Sequence, residues 1–258
     1  MFKTRLISGI VLVAAMFLAL RPGGIVSFAA FGAIALVGTF EFYRAVRLTG
    51  PLFYIGLAAS AVWYYIAYAV PQAAVGYLAI VLVIMLLPYV IMYPEISTEN
   101  GALAYFGFIY TAVLLSTIPL ARTQLGGYYV LLIFFAAWGA DTCAYVVGML
   151  FGKHKMAPVL SPKKSVEGAA GGVAGAVLLA LIFAWITKGP AVIYAAVCFF
   201  GSQLSMVGDL AASAIKRTHD IKDFGWCIPG HGGVLDRFDS LLFTGPAVYF
   251  LALLFTGF

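Results

Sequence analysis

Charged side chains are scarce in this chain of 258 residues. Asp, Glu, Lys and Arg make up 10% of it, whereas 64% of the residues are hydrophobic. Soluble domains have roughly 25% charged residues, so this chain has too few polar side chains to coat a soluble globule. Disorder is excluded as well, because it requires low hydrophobicity and high charge. The composition predicts an all-α polytopic membrane protein, and no nucleic-acid partner is expected.

Cysteine is rare too. The three cysteines are Cys143, Cys198 and Cys227. An odd number without a Cys-x-x-Cys pair argues against both a disulfide framework and a closed zinc site.

The chain contains many long hydrophobic stretches. A transmembrane helix needs roughly 20 apolar residues, and this rule predicts nine transmembrane helices. The first follows Lys3 and Arg5, but no small-residue cleavage site comes after it, so it is interpreted as a membrane helix rather than a signal peptide. The predicted spans are 6–20, 24–40, 52–70, 74–93, 101–120, 126–151, 168–187, 190–210 and 240–258.

The distribution of Lys and Arg predicts the orientation of these helices. If the N-terminus is cytoplasmic, twelve of the fifteen basic residues fall on the cytoplasmic side, and Arg21, Arg122 and Lys188 fall on the other. Cytoplasmic loops carry an excess of Lys and Arg. We therefore expect a cytoplasmic N-terminus and a C-terminus on the opposite side.

The two halves of the chain differ in polarity. Residues 1–121 hold the first five predicted helices and are interpreted as a scaffold with the dimer and lipid-facing surfaces. Residues 122–258 hold helices six to nine and two polar loops, 152–167 and 211–239, and are predicted to be catalytic. No internal repeat is evident, so an inverted-repeat transporter has no positive support.

The segment 208–239, GDLAASAIKRTHDIKDFGWCIPGHGGVLDRFD, concentrates polar residues. If the eighth helix continues past Gly208, helical spacing puts four of them on one face. Those four are Asp209, Ser213, Lys216 and Arg217.

The rest of this segment adds further charges and a glycine-rich turn. Lys222 and Asp223 precede the turn, whose glycines let backbone N–H groups approach an anion closely. Asp236 and Asp239 then lie one turn apart at the start of the ninth helix, with Arg237 between them. Carboxylates suit Mg²⁺, and Lys and Arg neutralise phosphate charge. The turn includes His231, a candidate hydrogen-bond donor to phosphate, followed by Gly232 and Gly233.

A second polar group lies upstream. Asp141 is predicted to lie inside an apolar helix, where an unpaired carboxylate is costly and usually functional. Lys163 and Lys164 precede the seventh helix, and at least one of them is expected to contact phosphate; the alternative is that they only meet lipid headgroups and set the topology.

Together these residues resemble the signature of the phosphatidate cytidylyltransferases, the CDP-diacylglycerol synthases. The GADTCAY and GKHKMAPVLSPKKSVEG stretches look like a second region of that family. The signature positions that are filled here are Ser213, Lys216-Arg217, Lys222-Asp223, Gly225, Pro229, His231-Gly232-Gly233, Asp236-Arg237 and Asp239.

The resemblance implies transfer of a cytidylyl group from CTP to phosphatidate, giving CDP-diacylglycerol and pyrophosphate. It further implies a membrane homodimer. The short chain without a long soluble extension indicates a bacterial plasma membrane, and the predicted orientation puts the active site on the cytoplasmic side. Mg²⁺ would be held by Asp209, Asp236 and Asp239, with K⁺ as a second cation.

Two alternatives stay open: a CTP-dependent lipid kinase, which would release CDP, and a transporter. The expected catalytic residues are Asp209, Lys216, Arg217, Lys222, Asp223 and Arg237, and the expected substrate-binding residues are Asp141, Lys163, Lys164, Ser213, His231, Gly232 and Gly233.

Overall fold

Long apolar helices dominate the computed structural model, which describes residues 2–228 and 232–257. Within these ranges nine α-helices follow one another: α1 Phe2–Leu20, α2 Gly24–Ala45, α3 Pro51–Ala69, α4 Ala74–Ile91, α5 Thr98–Gln124, α6 Gly127–Phe151, α7 Val166–Thr187, α8 Ala191–Thr218 and α9 Leu235–Thr256.

The all-α polytopic prediction is confirmed. In the described part of the chain, eight helices are long and apolar enough to cross a membrane, and α1 adds a shorter apolar stretch, Val11–Leu20. Every predicted span overlaps one observed helix. The observed α8 extends eight residues beyond its predicted end at residue 210, and α9 begins five residues before its predicted start at residue 240.

Local sequence signals account for several helix starts. Pro51 occupies the first turn of α3, where its missing N–H costs nothing. Before α5, the Ser97 hydroxyl accepts the Asn100 N–H, and the Asn100 side chain accepts the Ser97 N–H, both at 3.2 Å. This reciprocal capping box satisfies two donors that the helix leaves unpaired.

The only strands among the described residues form a short hairpin between α6 and α7. β1, Lys155–Ala157, pairs antiparallel with β2, Ser161–Ser165, with Lys155 opposite Ser165. Ser165 then caps α7 by accepting the Gly168 N–H at 3.1 Å. The hairpin therefore leads directly into a transmembrane helix.

The chain divides into two compact units. The first comprises Met1–Thr123 with His219–Arg237, and the second comprises Gln124–Thr218 with Phe238–Phe258. In the first unit, buried hydroxyl groups join three helices: the Thr39 Oγ1 lies 3.1 Å from the Ser60 Oγ and 2.6 Å from the Thr111 Oγ1. Because these groups satisfy one another, α2, α3 and α5 pack without leaving the three hydroxyls unpaired.

In the second unit, a glycine stripe on α7 lets α6 approach closely. A Cβ atom added at Gly172 would lie 2.9 Å from the carbonyl oxygen of Ala140, and one added at Gly168 would lie 2.8 Å from that of Ala144. This is the small-residue packing typical of membrane helices.

We predict that Gly172→Ala lowers stability by roughly 1–3 kcal/mol, because the added methyl group overlaps a backbone oxygen that has little freedom to move. Thermal unfolding in detergent measures the effect. Gly76→Ala in α4 is the matched control: its Cβ would meet no atom within 4 Å, so a gain of about 0.5–1 kcal/mol is expected. Equal melting temperatures for the two variants would contradict this packing.

Candidate functional site

The predicted site residues on the eighth helix share one continuous helix. α8 runs from Ala191 to Thr218, so the condition that it continue past Gly208 is confirmed. Asp209, Ser213, Lys216 and Arg217 therefore occupy its last three turns, with both cations in the final turn. Cations there interact favourably with the carbonyl end of the helix dipole.

The alternation of side chains along strand β2 gives its two neighbouring lysines different surroundings. Side chains alternate along a strand: Lys163 is exposed, whereas the Nζ atom of Lys164 is buried. Lys164 forms an ion pair with the Oδ2 atom of Asp209. The structure therefore pairs one of the predicted lysines with a predicted acid, across 45 residues of sequence.

Asp141 belongs to the same charged group. Its carboxylate interacts electrostatically with Asp209 and Lys164, and it shares a side-chain hydrogen bond with Ser240. It follows a π-helical turn, Phe135–Gly139, in α6; such turns are frequent at functional sites. Two acids and one lysine thus meet within the second unit, and we call Asp141, Lys164 and Asp209 the charged triad.

α8 and α9 approach each other beside this triad. A Cβ atom added at Gly208 would lie 2.8 Å from the backbone oxygen of Asp239, so only a glycine allows this approach. The Asp239 side chain accepts the Ser240 N–H at 2.8 Å. Two of the three predicted metal ligands, Asp209 and Asp239, therefore lie next to a close backbone contact.

The remaining predicted residues lie in the first unit, around the loop before α9. Asp236 is buried, and its Oδ2 atom accepts the N–H groups of Phe224 at 2.8 Å and of Gly233 at 3.0 Å. One carboxylate oxygen thereby ties together backbone groups on both sides of the turn, the more distant of them twelve positions before Asp236. Gly232 has a φ of +87°, which glycine adopts without strain.

The other predicted residues of this segment differ in exposure. Lys222 and Asp223 are exposed on this loop. The Nε atom of Arg237 is buried, and it has no hydrogen-bond partner among the described residues. His231 lies outside the residues that the structure describes.

Glu41 is a residue of this region that the sequence analysis missed. It lies near the end of α2 and is 3% exposed. Its carboxylate accepts the Val234 N–H at 3.0 Å and the Leu235 N–H at 2.8 Å. These donors belong to the N-terminus of α9, where the helix dipole favours a negative charge.

Two signature glycines make room for this carboxylate. A Cβ atom added at Gly233 would lie 2.6 Å from the Oε2 atom of Glu41, and one added at Gly225 would overlap the same carboxylate. These two glycines thus allow close packing on a buried acid. The signal that could have identified Glu41 is the one that drew attention to Asp141, a single carboxylate in an apolar helix.

The structure alone does not assemble a complete metal site. In residues 2–228 and 232–257, no group of three His, Cys, Asp or Glu side chains is arranged to hold a metal ion. Aspartate oxygens are nevertheless the donors that Mg²⁺ takes, commonly with one or two carboxylates while substrate phosphates and water fill the remaining positions. The donor chemistry fits such an ion, and the assignment of Asp209, Asp236 and Asp239 stays a prediction.

The long apolar helices define a multi-pass membrane protein. Its second unit contains an ion pair between Lys164 of β2 and Asp209 of α8, both of them partly exposed. The chain belongs to the cytidylyltransferase family, whose model matches residues 3–255. The family expected from the sequence signature is thereby confirmed.

Relatives of this chain carry a more specific name. It is 44% identical over 135 residues to a phosphatidate cytidylyltransferase of Bacillus subtilis, a match that covers 52% of this chain and 50% of the relative. It is 40% identical over 126 residues to the protein of that name from Synechocystis, covering 48% and 43%. The matched part is thus about half the length of these relatives.

We predict that Glu41→Ala accelerates hydrogen exchange at Val234 and Leu235 and lowers stability, because two N–H groups lose their acceptor. Each buried group left unpaired costs about 1–3 kcal/mol. Glu41→Gln, which keeps one carbonyl acceptor, should fall between wild type and Glu41→Ala. Hydrogen–deuterium exchange by mass spectrometry over 224–236 makes the measurement.

Glu95→Gln is the control, since Glu95 is exposed and no hydrogen bond to its side chain is seen in the described residues. Unchanged exchange in Glu41→Ala would show that this carboxylate does not hold the start of α9.

Proposed function

We propose that this protein transfers a cytidylyl group from CTP to phosphatidate, producing CDP-diacylglycerol and pyrophosphate. The observation that carries the proposal is the charged triad, which places a lysine with a buried Nζ atom and two carboxylates together in a protein of the cytidylyltransferase family. The names of the relatives supply the substrate class.

The proposed reaction needs no nucleophile from the protein. The second pKa of a phosphate monoester is about 6, so phosphatidate is mostly a dianion at neutral pH. One of its oxygens forms a bond to the α-phosphorus of CTP, while the bond from that phosphorus to the bridging oxygen breaks and pyrophosphate leaves. The difficulty is the repulsion between two polyanions, which positive charge and in-line positioning reduce.

Lys164 is the residue that we place at the centre of this electrostatic role. Its Nζ atom is buried, so its charge is only weakly screened by water. Asp209 and Asp141 hold the ammonium group in the second unit, and incoming phosphate oxygens would share it. Lys216, Arg217, Lys222 and Arg237 are the further cations that the sequence signature assigns to the phosphates.

The aspartates would also hold the metal ion that the sequence analysis predicts. Mg²⁺, when bound to Asp209, Asp236 and Asp239, would neutralise charge on the phosphates and on the leaving pyrophosphate. K⁺ as a second cation, the homodimer and the bacterial plasma membrane remain parts of the same proposal.

Purified protein in mixed micelles of detergent and phosphatidate should release pyrophosphate when CTP and Mg²⁺ are present. The release of pyrophosphate should stop when EDTA is added. Lys164→Ala should lower kcat by roughly 10²–10³, the usual loss when one preorganised electrostatic group is removed. Lys155→Ala, an exposed lysine of the same hairpin, should retain activity.

Three other outcomes of this assay would each contradict a different part of the proposal. Appearance of CDP in place of pyrophosphate would identify a CTP-dependent lipid kinase. Folded protein that turns over no nucleotide would favour the transporter. Equal activity of the Lys164→Ala and Lys155→Ala variants would remove Lys164 from the mechanism.

The cytoplasmic location of the 219–234 loop is part of the proposal, and Cys227 tests it. Cys227 is exposed, whereas Cys198 is buried and Cys143 is half-buried. A membrane-impermeant maleimide should label Cys227 in inverted vesicles but not in intact spheroplasts, and Cys227→Ser should abolish the labelling. Labelling in spheroplasts would reverse the proposed orientation.

This labelling has an expected pH dependence. Loss of hydration and the neighbouring Glu41 carboxylate raise the pKa of the Cys227 thiol. Because the thiolate is the reactive form, the rate should keep rising at a pH where an ordinary cysteine, with a pKa of about 8.5, has levelled off.

A further inference from the structure

The turn between α2 and α3 ends α2 with a left-handed residue. The Leu48 N–H donates to the Tyr43 carbonyl oxygen at 2.8 Å, and the Arg47 N–H donates to that of Arg44 at 3.1 Å. This pair of bonds is a Schellman motif, whose left-handed position is usually glycine. Here Arg47 occupies it, with a φ of +56°.

An arginine at this position is less favourable for the backbone than a glycine would be. With a glycine in place of Arg47, the Schellman motif at the end of α2 would form with less backbone strain. Strain of this kind is characteristic of functional positions. The turn itself does not require the long cationic side chain of Arg47, so we looked for a ligand that this side chain could bind.

Arg47 shares a cavity with a second arginine. The cavity has a volume of about 290 Å³ and lies where α2 ends and α3 begins; Arg44 and Arg47 line it together with Phe40, Phe53 and Tyr54. Phe40 and Tyr54 are exposed. Since both helices are membrane-spanning candidates, their shared end lies at the level of the lipid headgroups.

Both guanidinium groups keep donors available. The Cζ atom of Arg44 lies over the ring of Trp226, 3.8 Å from its centroid, a cation–π contact in which the guanidinium N–H groups need no hydrogen-bond acceptor. Neither Arg44 nor Arg47 forms an ion pair with a carboxylate in the described parts of the chain. The nearby carboxylate of Glu41 is already taken by Val234 and Leu235.

We propose that Arg44 and Arg47 bind the phosphate of an anionic lipid headgroup, with the glycerol and first acyl carbons against Phe40, Phe53 and Tyr54. Arginine edges match phosphate oxygens in paired hydrogen bonds, and cationic residues at this depth attract anionic lipid. The aromatic walls provide the apolar surface that a lipid requires and a free phosphate ion does not. This site is separate from the charged triad and does not depend on the proposed reaction.

Native mass spectrometry of delipidated protein tests the proposal without CTP or metal. Phosphatidylglycerol is the probe, because it is anionic but is not the proposed substrate. Wild type should retain one such lipid, and Arg47→Gly should bind it roughly tenfold more weakly, the loss expected when one hydrogen bond to a charged group is removed. The melting temperature of Arg47→Gly should be equal to or above that of wild type.

Lys188→Gly is the matched control. Lys188 is also left-handed, with a φ of +52°, and the Gly189 N–H donates to the Ala184 carbonyl oxygen at 2.9 Å at the end of α7. This variant relieves the same backbone strain and should leave lipid binding unchanged. Arg44→Gln should weaken binding as Arg47→Gly does.

Three results would overturn the proposal. The first is unchanged binding of phosphatidylglycerol by both arginine variants. The second is equal retention of phosphatidylcholine, which would show that the cavity selects no anionic headgroup. The third is displacement of the lipid by millimolar inorganic phosphate, which would make the ligand a free anion.

Discussion

A carboxylate buried in an apolar helix must find hydrogen-bond donors, and Glu41 finds them on the backbone of a segment almost two hundred residues away. Its two oxygens hold the N–H groups of Val234 and Leu235, which fixes where α9 starts. Asp236 follows directly and closes its own loop with one oxygen. The polar loop of the first unit is therefore organised by two acids whose pairing satisfies buried donors.

In the second unit, charged groups among apolar helices also need partners, and here the partners are other side chains. Lys164, Asp209 and Asp141 are each costly among apolar helices, and together they compensate one another. An arrangement of this kind is a modest source of stability. In the proposed reaction, incoming phosphate oxygens would share the Lys164 ammonium group with the two carboxylates. The same charges would then serve both the folding of this unit and the proposed chemistry.

Much of the architecture was predictable because the membrane imposes it. Every span needs a long apolar helix, so composition and length were enough to locate nine of them. The largest errors in the helix ends, of five to eight residues, are at the end of α2, the end of α8 and the start of α9, where polar residues continue a helix beyond its apolar part. The signature residues were found by their chemistry. Glu41 was missed because the predicted second span ended at residue 40, so this carboxylate did not stand out as one inside an apolar helix, and its backbone-amide partners cannot be read from the sequence.

The sequence by itself determined the helix count, the family and the set of acids and cations that could act on phosphates, since each follows from composition or from residues close together in the chain. Only the tertiary structure decided that Lys164, and not Lys163, pairs with Asp209, and that Gly225 and Gly233 pack against Glu41. The reason is physical: pairing depends on which side chains meet across segments distant in sequence, and local patterns do not encode that.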